Sequence, residues 1–275
     1  MEGEIKVSIL PLGSTAVDIC NVFPTDKKPL WPLAWTSLFR SKKYQYIIPV
    51  TAYLIEHPKG RIVFDTGFHS LVRTNPLKEL TFVHNTINKL LQRAGAAINE
   101  VLAARGIKPS DIDYVVLSHL HSDHASGMRL LKGAKHIVTS AEEWAAAQKP
   151  SISYLKRWWQ GINVETFNLS DCGVGPVGKA WNIFGDHTVE FFKLPGHTPG
   201  MVGARIINNG KYLLLTADCG YGRRSWEEMI VPSVVSCREA FENSLRWLME
   251  RSKDPNCIDV LANHETDLKT YEYEI

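Results

Sequence analysis

The sequence predicts one α/β domain spanning residues 1–275. Three observations predict it. Short β-branched or apolar runs of strand length recur along the chain, as at Val7-Ser8-Ile9-Leu10, Tyr114-Val115-Val116-Leu117 and Ile258-Asp259-Val260-Leu261. Segments with helical spacing or helix-start signals lie between them. The chemistry-bearing residues stand where the apolar runs stop, and that is where open α/β sheets place their sites.

In chain order, the first strand reads as broken at Pro11-Leu12-Gly13. Residues 20–46 read as irregular and aromatic, with Phe23, Trp31, Trp35, Phe39, Tyr44 and Tyr46 among Pro24, Pro29 and Pro32. They suit either a loop pinned to the core by its rings or an apolar wall of a substrate cleft. Val50-Thr51-Ala52-Tyr53-Leu54-Ile55 and Arg61-Ile62-Val63-Phe64 flank His57-Pro58-Lys59-Gly60 as a hairpin that runs into Asp65-Thr66-Gly67. Residues 76–105 show near-helical recurrence of Ile87, Leu90, Leu91, Ile98, Val101 and Leu102, with Gly106 as a stop. Ala134-Lys135-His136-Ile137-Val138 reads as a strand, and Ser140-Ala141-Glu142-Glu143 as a capping box opening a helix. Residues 149–186, with Trp158, Trp159 and Trp181, carry no clear element pattern. The second half is sheet-like. Val189-Glu190-Phe191-Phe192 leads to Gly196-His197, and Asn208-Asn209-Gly210 turns a hairpin whose second strand ends in Thr216-Ala217-Asp218. A second capping box, Ser236-Cys237-Arg238-Glu239, opens a helix, and a last strand ends at Asn263-His264-Glu265.

Composition narrows the function classes. Hydrophobic residues at 44% and charged residues at 22% are ordinary for a globular chain. A formal charge of +2, with its basic residues scattered in groups such as Arg40-Ser41-Lys42-Lys43, Lys27-Lys28 and Arg223-Arg224, argues against a nucleic-acid partner. No run approaches a membrane span, and Met1-Glu2-Gly3-Glu4-Ile5-Lys6 lacks an apolar signal core, so no membrane association is expected. Cys20, Cys172, Cys219, Cys237 and Cys257 form no CxxC pair, so a disulfide framework or thiolate zinc site is not expected and a cytoplasmic setting is.

The densest chemistry lies at Ser118-His119-Leu120-His121-Ser122-Asp123-His124. Three imidazoles and a carboxylate fall within residues 119–124, directly after an apolar strand. In extended backbone, residues two apart share a side, so His119 and His121 can grip one ion. Asp123 and His124 follow the turn and face another. Imidazole with carboxylate suits zinc, and also iron, manganese or cobalt. His197, Asp218 and His264 stand at three further strand ends and complete two ligand sets. His119, His121 and His197 form one, and Asp123, His124 and His264 the other, with Asp218 bridging. Asp65 reads as a partner that orients a ligating histidine rather than a ligand.

With Phe64-Asp65-Thr66-Gly67, the HxHxDH run, Gly196-His197, Asp218 and His264 in this order, the chain resembles the metallo-β-lactamase superfamily over nearly its whole length. The resemblance implies a four-layer αββα sandwich of two mixed sheets, with a site for two divalent metal ions at one edge. The remaining histidines, His57, His69, His84, His136 and His187, match no ligand position of that family. Asp218 argues against a β-lactam substrate, and His121 against the di-iron oxygen-reducing branch. Asp218-Cys219-Gly220-Tyr221 places a tyrosine as in the N-acyl homoserine lactonases, where it touches the lactone. The implied reaction is hydrolysis of a small-molecule lactone by a metal-bridging hydroxide. Tyr221 would donate to the oxyanion and Asp123 would donate a proton to the leaving alkoxide. A glyoxalase-II-like thioesterase, a phosphodiesterase and a non-catalytic binding module are the rival expectations, and the resemblance leaves room for a homodimer.

Overall fold

The computed structural model describes residues 3–24 and 33–275. Its strands in chain order are β1 (Lys6–Asp18), β2 (Gln45–His57), β3 (Gly60–Phe64), β4 (Lys89–Leu90), β5 (Tyr114–Leu117), β6 (His136–Ser140) and β7 (Glu165–Phe167), then β8 (Ser170–Asp171), β9 (Lys179–Asn182), β10 (Val189–Lys193), β11 (Val202–Asn208), β12 (Lys211–Leu215), β13 (Cys257–Leu261) and β14 (Glu272–Glu274). They form two sheets. The first runs β14-β1-β2-β3-β5-β6-β7, with β4 also on β1, and the second runs β13-β12-β11-β10-β9-β8. Both are mixed: β3, β5, β6 and β7 pair in parallel, as do β12 and β13, while the remaining pairs are antiparallel.

Side-chain alternation makes the layers. From β3 and β5, Ile62, Phe64 and Val116 point between the sheets, where they meet Val189, Phe191, Ala204, Leu213 and Leu215. Their neighbours Val63, Val115 and Leu117 point outward to Phe68, Leu102, Met128, Leu131 and Trp158. In the second sheet Phe192, Leu214 and Val260 turn the other way, onto Phe241, Leu245 and Leu248 of the helix Arg238–Arg251. Strands covered on both faces must be apolar at every position, and this accounts for the unbroken apolar runs of the sequence. The result is helix, sheet, sheet, helix. Among the described residues no helix is long and apolar enough to cross a membrane.

Several local expectations are corrected. The first strand does not stop at Pro11. It continues to Asp18 across a register shift between Pro11 and Ser14, with Gly13 at φ +108° absorbing the irregularity. Residues 76–105 are not one helix but the short helices Pro76–Glu79, Phe82–Ile87 and Ile98–Ala104, with β4 between the last two. Their apolar residues face different neighbours, so recurrence along the sequence did not mean one continuous face. Neither capping box is complete. Ser140 accepts from the Glu143 N–H, but Glu143 turns inward. Ser236 gives its hydroxyl to the Gly196 carbonyl, and Cys237 is the cap of the following helix without a side-chain bond. Residues 149–186 contribute β7, β8, β9 and a 3-10 turn at Lys156–Trp158. Of the aromatic segment 20–46, Trp31, Pro29 and Pro32 lie outside the described residues; Phe23 is buried and Phe39 fully exposed.

Gly196 shows how tightly the loop after β10 is seated. It holds φ +131°, and a Cβ there would come within 2.4 Å of the Phe241 backbone. Gly196→Ala therefore combines a disfavoured backbone conformation with a collision against a helix, an expected loss of roughly 2–4 kcal/mol. Denaturant unfolding of both proteins without added metal checks it, and a change under about 0.5 kcal/mol would contradict it.

Candidate metal centre

Five strand ends converge on one edge of the sandwich. β3 delivers Asp65, β5 the run from Ser118, β10 His197, β12 Asp218 and β13 His264. The chain turns sharply after β5, so His119 and His121 precede the helix Ser122–Ala125 while Asp123 and His124 lie inside it. All seven residues read as ligands are thereby brought together. His119, His121 and His197 form one cluster with ligand atoms within 4.8 Å of one another; Asp123, His124 and His264 form a second, and His119, His124 and Asp218 a third between them.

Asp218 sits in the middle with its oxygens divided. Oδ1 lies 3.1 Å from His124 Nε2 and 3.2 Å from His264 Nε2, whereas Oδ2 lies 3.4 Å from His197 Nε2 and 4.0 Å from His119 Nε2. The residue before it, Ala217, is at φ +47°, an uncommon conformation for a side-chain-bearing residue and one often found at functional sites.

The outward nitrogen of each ring fixes which nitrogen faces in. His197 Nδ1 donates to the Val234 carbonyl at 3.0 Å, and His264 Nδ1 to the Pro49 carbonyl at 2.7 Å. His124 Nδ1 donates to Asp65 Oδ2 at 2.8 Å. The Ser118 hydroxyl gives its one proton to Asp65 Oδ2, so it accepts from His119 Nδ1 at 3.0 Å. A carbonyl or carboxylate can only accept, so four Nε2 lone pairs point into the centre. His119 Nε2 and His197 Nε2 both approach His121 Nδ1, at 3.1 and 2.9 Å, and one proton there could serve only one of them. Among the described residues, His124 Nε2, His264 Nε2 and Asp218 Oδ1 are buried with no hydrogen-bond partner. Native proteins rarely leave such atoms unpartnered unless an ion or water belongs there. The donor set fits two divalent cations.

Asp65 supplies the anchoring. Fully buried at φ +65°, it accepts from the Ser118 N–H and hydroxyl, from His124 Nδ1 and from Asn263 Nδ2, each at 2.8 Å. The structure places it one step outside the cluster. Tyr221 stacks on His264 at 5.2 Å between ring centroids. Burial, reinforced by the charges of Asp218 and Asp123, pushes its hydroxyl well above the usual tyrosine range.

Beside the cluster opens a cavity of about 260 Å³. Val17, Val22, Trp35, Ile48, Ile87 and Trp158 form its apolar walls, and His121, Asp123, His197, Asp218 and Tyr221 its floor. Trp35 thus gives part of the aromatic segment a wall role, and Ile152, Ser153 and Trp158 do so for residues 149–186. Sequence reasoning missed His84, Ile87 and Asn88, which carry no local motif and reach the cavity through packing alone. It also missed Glu143, which the capping pattern disguised.

The chain resembles several known proteins. A model of the metallo-beta-lactamase superfamily matches residues 46–230. The N-acyl homoserine lactonase AttM of Agrobacterium fabrum (strain C58 / ATCC 33970) is 30% identical over 238 residues, covering 81% of this chain and 84% of the relative. An N-acyl homoserine lactonase from a Bacillus species is 32% identical over 189 residues, covering 66% of this chain and 68% of the relative. Among solved structures, an N-acyl homoserine lactone hydrolase with N-hexanoyl-L-homoserine bound at its catalytic metal centre superposes with a TM-score of 0.74 at 24% identity, covering 95% of this chain and 94% of its own. AidC, a dizinc quorum-quenching lactonase, gives 0.66 at 14% identity, covering 100% and 95%. These structural likenesses carry the fold: four layers, αββα.

The two halves of the centre differ in protonation. Burial and neighbouring imidazoles hold His119 and His121 well below the usual histidine value, and burial holds His197 below it. For His124 and His264 burial works the same way, but Asp218 outweighs it, helped by Asp65 and Asp123 at His124 and by Asp123 at His264. His124 ends well above the usual value and His264 above it. In the ion-free protein the Asp123–His124–His264 half is therefore the one whose imidazoles favour a bound proton, and the His119–His121–His197 half the one whose imidazoles disfavour it. Binding needs bare lone pairs, so loading the Asp123–His124–His264 half should release protons and tighten as pH rises, while the other half should bind with little release. Zinc calorimetry at pH 7 in buffers of different ionisation heat checks this; equal proton release from both binding phases would contradict it.

Proposed function

The chain belongs to the metallo-β-lactamase superfamily, and from that premise we propose that it is a hydrolase that opens the ring of N-acyl homoserine lactones at a centre of two divalent ions, zinc best matching its imidazole-rich donors. His119, His121 and His197 would hold one ion, Asp123, His124 and His264 the other, with Asp218 shared. When bound, the ions supply Lewis acidity that activates water at neutral pH and polarises an ester carbonyl.

The residues around them divide the remaining work. Burial, with the charges of Asp218 and Asp123, holds the Tyr221 hydroxyl well above the usual tyrosine range, so it can donate to an oxygen that gains charge during attack. Asp218 is buried among four imidazoles and holds its charge, with a carboxyl well below the usual range: burial alone would raise it, but His124 and His264 outweigh that. Asp123 is the more exposed carboxylate, with 16% of its side chain accessible against 4% for Asp218. It can exchange a proton with solvent and pass it to the leaving alkoxide.

One observation carries the choice of substrate. Among the described residues lining the cavity there is no lysine or arginine, and its walls are mostly apolar. Arg223 and Arg224, the basic pair just after Tyr221, are engaged with Asp259 and Glu228. Such a cavity suits a neutral ester with an apolar tail. Beyond the ions themselves, the anionic groups of a phosphodiester or a glutathione thioester would find no lysine or arginine among the described lining residues to pair with. The relatives named as N-acyl homoserine lactonases support the same reading.

The metal-loaded protein should therefore open N-acyl homoserine lactones faster than it cleaves a phosphodiester or a glutathione thioester, by at least about 100-fold in kcat/KM, roughly 2.7 kcal/mol. Until the cavity fills, each added methylene should raise kcat/KM by up to about fourfold, from about 0.8 kcal/mol of burial. A phosphodiester turned over faster than any lactone would reject the assignment.

Tyr221→Phe removes one neutral donor while leaving every proposed ligand in place. Because bound ions would also stabilise charge on that oxygen, the expected loss is roughly tenfold in kcat, ~1.4 kcal/mol, at unchanged metal content. Unchanged kcat and KM at full loading would take the hydroxyl out of the mechanism.

A further inference from the structure

We propose that Glu143 is the positioning residue for one half of the centre, the His119–His121–His197 half, a role that rests on the two-ion reading above. Glu143 lies in the helix Ala141–Ala147 and is fully buried. Its carboxylate meets four donors. Oε1 accepts from the Leu120 N–H at 3.0 Å and the Tyr154 hydroxyl at 2.9 Å. Oε2 accepts from the Thr198 hydroxyl at 2.6 Å and the Gly200 N–H at 3.2 Å.

The donors are what give this carboxylate a specific role. Leu120 lies between His119 and His121, and Thr198 directly follows His197. Tyr154 lays its ring 5.7 Å from that of His121. One carboxylate therefore ties together the two loops that bring this trio of imidazoles to one point. The loop after His197 is also drawn onto the start of the helix. Ser140 donates its hydroxyl to the Gly200 carbonyl at 2.7 Å, and a Cβ on Gly200 would sit 2.0 Å from the Glu143 nitrogen. Glu143 makes no hydrogen bond to Asp123, His124 or His264. His124 is served instead by Asp65, which reaches it directly and His119 only through Ser118, and His264 by the Pro49 carbonyl. Two buried carboxylates thus hold the centre from opposite sides.

Chemistry predicts what Glu143→Gln does. The amide keeps one acceptor oxygen and replaces the other with an NH₂ group. A hydroxyl facing that NH₂ can rotate and accept, but a backbone N–H cannot. In one amide orientation the Leu120 N–H loses its partner, and in the other the Gly200 N–H does. Both belong to the loops of the same trio, so either orientation strikes the same half. Outer-shell changes of this kind cost roughly 10–100-fold in metal affinity.

The experiment counts zinc per chain by elemental analysis after equilibration in a zinc buffer that just saturates the unaltered protein. The unaltered protein should hold about two ions and Glu143→Gln about one, with a circular dichroism spectrum unchanged. Adding His264→Ala to Glu143→Gln should leave almost none, whereas adding His197→Ala should change nothing further, because that half is already empty. If the unaltered protein holds fewer than two ions, the two-ion reading fails. If it holds two and Glu143→Gln also holds two, only the positioning role is overturned. Loss of both ions in Glu143→Gln, or retention of one in the variant that also carries His264→Ala, overturns its restriction to this half. Should Glu143→Gln not fold, Thr198→Val removes one donor and keeps the carboxylate. It should weaken one zinc equivalent severalfold, and two equivalents bound as in the unaltered protein overturn the proposal.

Discussion

The centre depends on hydrogen bonds made on the side of four of its five imidazoles that faces away from it. Val234, Pro49, Asp65 and Ser118 take the outward protons of His197, His264, His124 and His119. Those four bonds set the tautomers, and the tautomers turn four lone pairs inward at one point. Free imidazoles would not gather with their lone pairs facing, because that arrangement has no internal attraction. The surrounding protein imposes it, and ions can then be bound with little reorganisation. The acceptors are two backbone carbonyls, a carboxylate and a serine already committed to that carboxylate, so no partner can reverse its role.

The sandwich supplies the rigidity this needs. Ligands arrive from strand ends of both sheets, so their relative positions depend on how the sheets stack. The stacking is fixed by large side chains, Phe64 against Phe191 at 5.4 Å and Phe167 against Trp181 at 4.3 Å among them. Cross-sheet hydrogen bonds reinforce it next to the site: the Val202 N–H donates to the Ser118 carbonyl, and the Thr51 hydroxyl to the Asn263 carbonyl. The residues that hold the rings are in turn held by the core. The cavity wall has a different construction. Trp35, Ile87 and Ile152 come from loops and short helices around the rim, where change can alter the substrate while leaving the ligands undisturbed.

That contrast explains what could be read from the sequence. The strand-end run His119–His124 was legible because its spacing within a few residues carries its own geometry, and His197, Asp218 and His264 because each closes an apolar run. Asp65 was legible for the same reason, as a carboxylate at the end of β3. A bridging Asp218 was expected from two ligand sets sharing one carboxylate, and the fold divides its oxygens accordingly, Oδ1 toward His124 and His264 and Oδ2 toward His197 and His119. The wall residues His84 and Asn88 were not legible, since they reach the cavity from a helix whose apolar spacing merges with its neighbours. Glu143 was misread for a more instructive reason. Ser140 and Glu143 have the spacing of a capping box, and the serine does cap. The glutamate faces donors from two distant loops, and four tertiary bonds outcompete one local bond. Local pattern predicts local partners and says nothing of long-range ones.

Charge completes the picture. Asp65, Asp123, Asp218 and Glu143 place four carboxylates in or around a largely buried corner, and the nearest protein cations are the imidazoles themselves. In the ion-free protein the carboxylates beside His124 and His264 outweigh burial and strengthen the hold of both on a proton. A proton there would sit between these nitrogens and Asp218 Oδ1, which face one another at 3.1 and 3.2 Å. A proton and a metal ion thus compete for the same gap, and the carboxylates favour positive charge there without choosing between them. Geometry makes the choice. A proton joins one donor to one acceptor, whereas a divalent ion engages several converging lone pairs at once. Asp218, placed between both sets of imidazoles, can use its two oxygens fully only when each faces a cation. That requirement ties the two halves together, although the protein anchors them separately.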